Sequence, residues 1–272
     1  MLLLALGFKG GDRPDWLHEW AGRGATSIRY RVSLASEFKF KVGEIMAGKG
    51  SFENHTVICC GTLRPELDHL EGSGFLDAKK ILYTAPGLHE DYRKLKAQLS
   101  DKLEQAMEYS ENIIVVYGSN CYLDLTTAPP EHIDDLLNRS GGSIARIRAT
   151  RCVDMLVDAD GREDIAKEEK VYWITPGWLK YWRGIFASWD AAKANETFPR
   201  YDKAIILDAL GLYEKYSLER PEEILEFADW MGIPIEPYGI ALDRLMGLLS
   251  DGIGAGELGR GDPRSHGAQG VS

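Results

Sequence analysis

The stretch Ile113-Ile114-Val115-Val116-Tyr117-Gly118-Ser119-Asn120-Cys121 decides the fold class of this chain. Its first five residues are apolar and rich in β-branched side chains, a pattern that favours a strand buried on both faces, as in parallel sheets. The run stops abruptly at Gly118. We therefore expect a buried parallel strand that delivers the thiol of Cys121 to its carboxyl end.

Similar apolar runs alternate with helical patterns along the chain. In the segment 90–109, Leu95, Leu99 and Leu103 recur every four residues, which predicts a helix with one apolar stripe. Strands alternating with such helices predict an α/β fold: a mostly parallel sheet with helices on both faces, in a Rossmann-like three-layer arrangement. Ligands of such folds bind at the carboxyl ends of the strands. The other predicted strands cover 56–60, 80–84, 144–149, 171–174, 203–208 and 233–235.

We divide the chain into an N-terminal segment (1–54) packed on the main domain, an α/β domain (55–250) and a glycine-rich, disordered tail (251–272). The apolar run 1–8 has no basic region before it and no small-residue cleavage site after it, which favours a strand or packed terminus over a signal peptide. No apolar run reaches the roughly 20 residues that a membrane-spanning helix needs. These features predict a cytoplasmic protein without a membrane partner.

The charge and cysteine content narrow the classes of function. A net charge of −10 argues against nucleic acid as the main partner, because a surface that follows phosphates needs to be positive. Four cysteines in a cytoplasmic chain of this size do not indicate a disulfide framework. They are buried small hydrophobes, metal ligands or reactive thiols.

Three cysteines stand where the fold would place a site. Cys60, Cys121 and Cys152 each close or follow a predicted strand, and His89 lies in the loop after another. Three thiols and one imidazole are a complete ligand set for zinc, and three thiolates suit an iron–sulfur cluster. The spacing is dispersed and lacks a CxxC motif, so burial as small hydrophobes is the alternative. Cys59 points to the opposite strand face from Cys60, and we expect it in the core.

Two glycine-containing turns are candidate ligand sites. In Thr175-Pro176-Gly177-Trp178, either the turn simply starts a helix, or Gly177 and Trp178 wall a pocket for a planar or alkyl ligand. Gly118 lies in a turn that can offer backbone amides to an anion. Neither a GxGxxG motif nor a phosphate-binding lysine motif accompanies it, which argues against a nucleotide site.

Two acidic residues and one imidazole leave further options open. Asp154 follows Cys152 by two residues and Asp208 ends a predicted strand, so each is either an acceptor that orients the site, a general base, or an ordinary cap or turn residue. A cysteine nucleophile paired with His89 is also arguable, since it needs only one thiol and one base.

Five motifs follow one another in a recognisable order. They are Cys60-Gly61, Leu88-His89, Tyr117-Gly118 with Cys121, Arg151-Cys152-Val153-Asp154, and Thr175-Pro176-Gly177-Trp178. This order resembles a family of bacterial and archaeal proteins known only as a domain of unknown function, over about residues 55 to 250. The resemblance implies that Cys60, His89, Cys121 and Cys152 share a metal site. One departure concerns Cys121, since in many members only one residue separates Tyr-Gly from the cysteine.

The resemblance also implies a context. Members of the family occur in anaerobes and methanogens near genes for corrinoid-dependent methyl transfer, which makes a corrinoid protein or a methyltransferase a possible partner. Our first hypothesis is a protein that binds zinc or an iron–sulfur cluster and assists methyl transfer. The second is a non-catalytic accessory protein that binds a small ligand or a methyltransferase through Trp178, Trp182 and Trp189. A weaker third hypothesis is a metal-independent cysteine enzyme.

Overall fold

The computed structural model describes residues 51–258 of the chain. The predictions for residues 1–50 and 259–272 lie outside the described residues. The strands are β1 (His55–Cys60), β2 (Lys80–Thr84), β3 (Asn112–Val116), β4 (Leu123–Asp124), β5 (Glu131–His132), β6 (Ser143–Arg146), β7 (Val171–Ile174), β8 (Lys203–Asp208) and β9 (Ile235–Gly239). The helices are α1 (Arg64–Gly72), α2 (Tyr92–Tyr109), α3 (Ile133–Arg139), α4 (Ala159–Ala166), α5 (Pro176–Ile185), α6 (Ala191–Thr197), α7 (Leu212–Glu219), α8 (Pro221–Met231) and α9 (Asp243–Leu258).

The first sheet has four parallel strands in the order β2-β1-β3-β6. On β3, Ile113 and Val115 pack with Leu95 and Leu99 of α2, while Ile114 faces Gly252 of α9 on the opposite side. Helices therefore cover both faces, because successive side chains of a strand point to opposite sides. We call this sheet and its helices the four-stranded lobe. It confirms the prediction of a three-layer α/β fold.

The remaining long strands form a second parallel sheet in the order β7-β8-β9, here called the three-stranded lobe. The break between the sheets falls at α4. This helix has no buried side chain, so it cannot cover a sheet as the crossover helix of a βαβ unit does. The two short strands β4 and β5 pair antiparallel beside the first sheet.

Helix α9 returns the chain from the three-stranded lobe to the four-stranded lobe, where it packs on β3 and β6. Leu245, Met246 and Leu249 are its fully buried residues. The helix extends to Leu258, past residue 251, at which the tail was predicted to begin. Within the described range, every helix is too short or too polar to cross a lipid bilayer.

The carboxyl ends of the strands in the two lobes face each other. The Thr175 hydroxyl, just after β7, donates a hydrogen bond of 2.9 Å to the Thr62 carbonyl, just after β1. After β2, the ring of His89 lies 5.8 Å from the Trp178 ring at the start of α5. Each lobe thus turns its polar strand-end loops toward the other, and candidate site residues collect at this boundary.

Candidate functional site

Cys60 closes β1 at the boundary between the lobes. It is 9% exposed and packs on the α2 side of the sheet, and the Thr62 hydroxyl donates to its sulfur at 3.1 Å. Cys59 is fully buried, as predicted. Burial, with the neighbouring Cys60 adding to it, raises the pKa of Cys59 well above the usual value for a thiol. Cys59 is therefore a core thiol that stays protonated.

Cys121 and Cys152 follow β3 and β6, and both residues keep some exposed surface. Burial of the sulfur raises the pKa of Cys121 to about 12, and the neighbouring Cys60 adds to the rise. Burial likewise raises the pKa of Cys152, with contributions from Cys121 and Cys60. Cys60, Cys121 and Cys152 therefore lie at or after the carboxyl ends of three adjacent strands, β1, β3 and β6.

Cys121 ends a single turn of 3-10 helix, Ser119–Cys121. The Cys121 amide donates to the Gly118 carbonyl at 3.1 Å within this turn. Next to it, the amides of Ser119 and Asn120 donate to carbonyls of the loop after β6. The turn therefore holds Cys121 beside the loop that carries Cys152.

The predicted fourth ligand, His89, lies farther along the boundary. Its Nε2 is 3.6 Å from Oε1 of Glu90, and burial lowers the pKa of the imidazole. Within residues 51–258, no group of three or more His, Cys, Asp or Glu side chains is arranged to hold a metal ion. In this part of the chain, the three cysteines and His89 therefore do not form a shared ligand set in the structure as it stands.

A cavity of about 520 Å³ opens beside two of these thiols. Cys121 and Cys152 lie in its wall, whereas Cys60 is not among its lining residues. Its aromatic wall consists of Tyr172, Trp173, Trp178 and Tyr201, with His89 beside them. The volume is within the range of sites for small organic ligands, roughly 300 to 1,000 Å³.

Trp178 connects the cavity with the thiols. Its side chain is 5% exposed and lowers the pKa of Cys152 slightly against the effect of burial, so the indole lies close to that sulfur. The contact does not have hydrogen-bond geometry, and the indole N–H has no partner within the described residues. Trp182 and Trp189, which pack against the same core, also have a buried indole N–H without a partner in this range, so this feature alone does not mark Trp178 as a ligand residue.

The two other candidate ligand residues, Gly177 and Gly118, are positions of close backbone packing. A Cβ on Gly177 would lie 2.7 Å from the carbonyl carbon of Thr62 and still closer to its oxygen. A Cβ on Gly118 would lie 2.6 Å from the amide nitrogen of Arg151 and closer to the carbonyl of Thr150. Gly177 thus lets the lobes meet, and Gly118 lets the loops of Cys121 and Cys152 meet.

The two predicted acidic residues have structural partners. Asp154 forms an ion pair with Arg162, and its carbonyl accepts from Arg244 at 2.7 Å. Asp208 is 2% exposed and accepts hydrogen bonds from the amides of Leu210, Leu212 and Tyr213, so it caps the start of α7. Neither carboxylate is among the residues that line the cavity.

Glu66 is a buried acid that the sequence did not single out. It is 0% exposed in the first turn of α1, and neither carboxyl oxygen has a hydrogen-bond partner among the described residues. Burial raises its pKa to about 8, with the charges of Asp208 and Asp68 adding to the rise. Since Asp208 belongs to the other lobe, Glu66 is a protonated acid at the boundary. The only sequence signal was an acidic residue in an N-terminal turn, which usually indicates an exposed position.

Fold and site together define a two-lobed α/β protein with a ligand-sized cavity whose wall contains two free cysteines. Residues 83–249 match the family described as "Protein of unknown function (DUF1638)", and the chain belongs to this family. The matched stretch contains His89, Cys121, Cys152 and Trp178, and it begins after Cys60. No curated protein and no solved structure matches the chain.

The raised pKa values of the thiols predict slow alkylation. In metal-free protein we expect the rate of iodoacetamide labelling at Cys121 to keep rising from pH 8 to pH 10, because its pKa is raised to about 12, chiefly by burial. An unperturbed thiol titrates near 8.5. Peptide mass spectrometry measures the labelling, with urea-unfolded protein as the control. A plateau below pH 8 would instead indicate an activated thiolate, as a metal-independent cysteine enzyme requires.

Proposed function

We propose that this protein binds a metal ion or an iron–sulfur cluster through Cys60, Cys121 and Cys152 and presents it to a ligand in the adjacent cavity. The observation that carries the proposal is the strand order β1-β3-β6, since Cys60, Cys121 and Cys152 lie at or after the carboxyl ends of these three adjacent strands. Soft thiolate ligands favour zinc and iron–sulfur clusters over hard cations such as magnesium.

The loops that carry the thiols support this proposal. Cys121 lies in a single helical turn, and Cys152 directly precedes another, Val153–Met155. Both cysteines thus lie in loops after the strands rather than within the sheet. The raised thiol pKa values mean that a metal must displace protons when it binds, which makes binding stronger at higher pH.

Anaerobic purification with metal analysis tests the proposal. We expect about one zinc ion or one cluster per wild-type chain, and a loss of most of it in Cys60→Ser, Cys121→Ser and Cys152→Ser, because each removes one soft ligand. Brown colour and visible absorbance identify a cluster, whereas a colourless protein containing zinc identifies the ion. Cys59→Ser is the matched control, since this neighbouring thiol is fully buried and lies in the core.

The control separates ligation from folding. Full metal content in Cys59→Ser beside depleted content in the other three variants supports the proposal. Equal metal content in all four variants contradicts it. Circular dichroism of each variant shows whether a loss of metal reflects a loss of structure.

A second candidate function is that of a ligand-binding protein without a metal. The cavity supports this candidate independently of the cysteines. Its aromatic wall and its volume are typical of small-molecule sites, and both exist without any metal. A wild-type protein that is metal-free, stable and still binds small molecules in the cavity would establish this candidate.

We extend the first proposal to methyl transfer on the strength of the motif order in the sequence. A thiolate-bound zinc ion would activate a thiol acceptor, and a cluster would supply electrons to a corrinoid protein. Reduction of a cob(II)alamin-loaded partner by the cluster form, compared with Cys152→Ser, distinguishes these roles. If neither reduction of the corrinoid nor methylation of a thiol is observed, the proposed role in methyl transfer is contradicted. The proposal of metal binding is not affected by that result.

A further inference from the structure

Some charged side chains around the cavity form ion pairs with other residues, and others do not. Arg162 is paired with Asp154, and Glu169 lies 2.6 Å from the ammonium of Lys203. Arg151 and Glu163 line the same cavity, and both residues are exposed to solvent. Neither side chain has an ion pair or a hydrogen bond with another of residues 51–258, so in this part of the chain the cavity wall offers one positive and one negative side chain without an ionic partner.

The aromatic wall lies beside these two charges. Tyr172 packs against Tyr201 at 5.1 Å and against Trp178 at 6.2 Å between ring centroids, with interplanar angles of 71° and 87°. Edge-to-face packing holds the rings as one rigid surface. Such a surface suits a flat or apolar group, and aromatic faces also attract organic cations. The unpartnered N–H of Trp178 adds a buried donor to this wall.

We propose that the cavity binds a small zwitterion of the amino-acid type, with its acidic group on Arg151, its cationic group on Glu163, and its flat or apolar body on the aromatic wall. A simple anion would leave Glu163 unmatched, and a simple cation would leave Arg151 unmatched. A zwitterion matches both charges at once. The inference rests on the proposed function, because it names the ligand that would bind beside the proposed metal ligands Cys121 and Cys152.

Three probes that share a phenyl ring and a two-carbon chain test the charge requirement. They are L-phenylalanine, 3-phenylpropionate and 2-phenylethylamine, which carry both charges, the acid alone and the amine alone. Calorimetric titration of the full-length protein, as isolated and after metal loading, measures the three affinities. We expect phenylalanine to bind about fivefold more tightly than either singly charged probe, because each exposed charge pair contributes modestly.

Two substitutions assign the charges. In Arg151→Gln, phenylalanine should lose its advantage over phenylethylamine, and in Glu163→Gln it should lose its advantage over phenylpropionate. The matched controls are Arg148→Gln and Asp164→Asn, since both residues are exposed neighbours that do not line the cavity. These controls should leave all three affinities unchanged.

Other outcomes overturn the inference. They are the absence of binding by all three probes, tightest binding of the acid or the amine, and an unchanged order of affinities in both charge variants. Metal content is measured on the same samples and should equal that of the wild type in Arg151→Gln and Glu163→Gln. Equal metal content in all cysteine variants beside the expected order of probe affinities shows that only the metal proposal fails. Depleted metal in the three ligand variants beside no binding of phenylalanine to the wild type shows that only the zwitterion inference fails.

Discussion

Replacing Glu66 with glutamine is expected to stabilise the protein above pH 8 and to have little effect near pH 4.5. The folded state keeps this buried carboxyl protonated until about pH 8, whereas the unfolded chain ionises it near its usual value of 4.5. Between these values the folded protein holds one proton more, so the free energy of unfolding falls as the pH rises. The stability is fully present below pH 4.5 and lost by about pH 8.

The size of this effect follows from the pKa difference. Each pH unit in the window costs about 1.4 kcal/mol, so the wild type loses on the order of 3 to 5 kcal/mol by pH 9. Glutamine has nearly the shape of the protonated acid and cannot ionise, so Glu66→Gln should lose none of it. Urea unfolding of both proteins at pH 5, 7 and 9 measures the divergence.

Glu71→Gln provides the control, because Glu71 is an exposed acid on the same helix. Its unfolding free energy should follow that of the wild type at every pH. A Glu66→Gln protein that is less stable than the wild type at all three pH values would mean that the carboxylate is ionised and paired in the folded state, against the burial described above.

Replacing Gly177 with alanine is expected to destabilise the protein by about 3 kcal/mol or more, at the upper end of the cost of overpacking. The added methyl group would overlap the Thr62 carbonyl across the boundary between the lobes. A backbone carbonyl cannot rotate away as a side chain can, so the lobes must separate. The gain in helix propensity from glycine to alanine, about 1 kcal/mol, is smaller than this cost.

The same helix offers a matched control in Gly184→Ala. A Cβ on Gly184 meets no atom within 4 Å, so this variant should be as stable as the wild type or up to about 1 kcal/mol more stable. Urea unfolding compares the two variants, and tryptophan fluorescence reports whether the surroundings of Trp178 change. Equal stability of the two alanine variants would show that the lobes do not meet at Gly177.

The local features of the four-stranded lobe could be predicted from the sequence. The β-branched run at Ile113 predicted β3, and the four-residue repeat from Leu95 predicted α2, because both patterns depend only on nearby residues. The same alternation placed Cys59 in the core. The placement of three cysteines at the ends of adjacent strands also follows from the strand pattern, whereas their convergence on one metal stays a prediction.

Features that depend on distant packing could not be predicted. The chain passes from one sheet to the other at α4, an exposed helix without buried side chains. Hydrophobic periodicity could not show whether this helix covers a sheet, as a crossover helix does, or lies exposed on the surface. The burial of Glu66 and the effect of Asp208 from the opposite lobe depend on tertiary packing, which no local pattern reveals. The same applies to Gly177, since its pattern indicated a ligand while its backbone contact is with Thr62.

The packing of α9 on the four-stranded lobe has a consequence for folding during synthesis on the ribosome. A chain emerges from its N-terminal end, and domains usually fold in that order. Here β1, β3 and β6 leave the exit tunnel long before residues 243–258, which cover one face of their sheet. That apolar face therefore stays open to water until residues 243–258 have emerged, and chaperones are expected to bind the nascent chain during this interval.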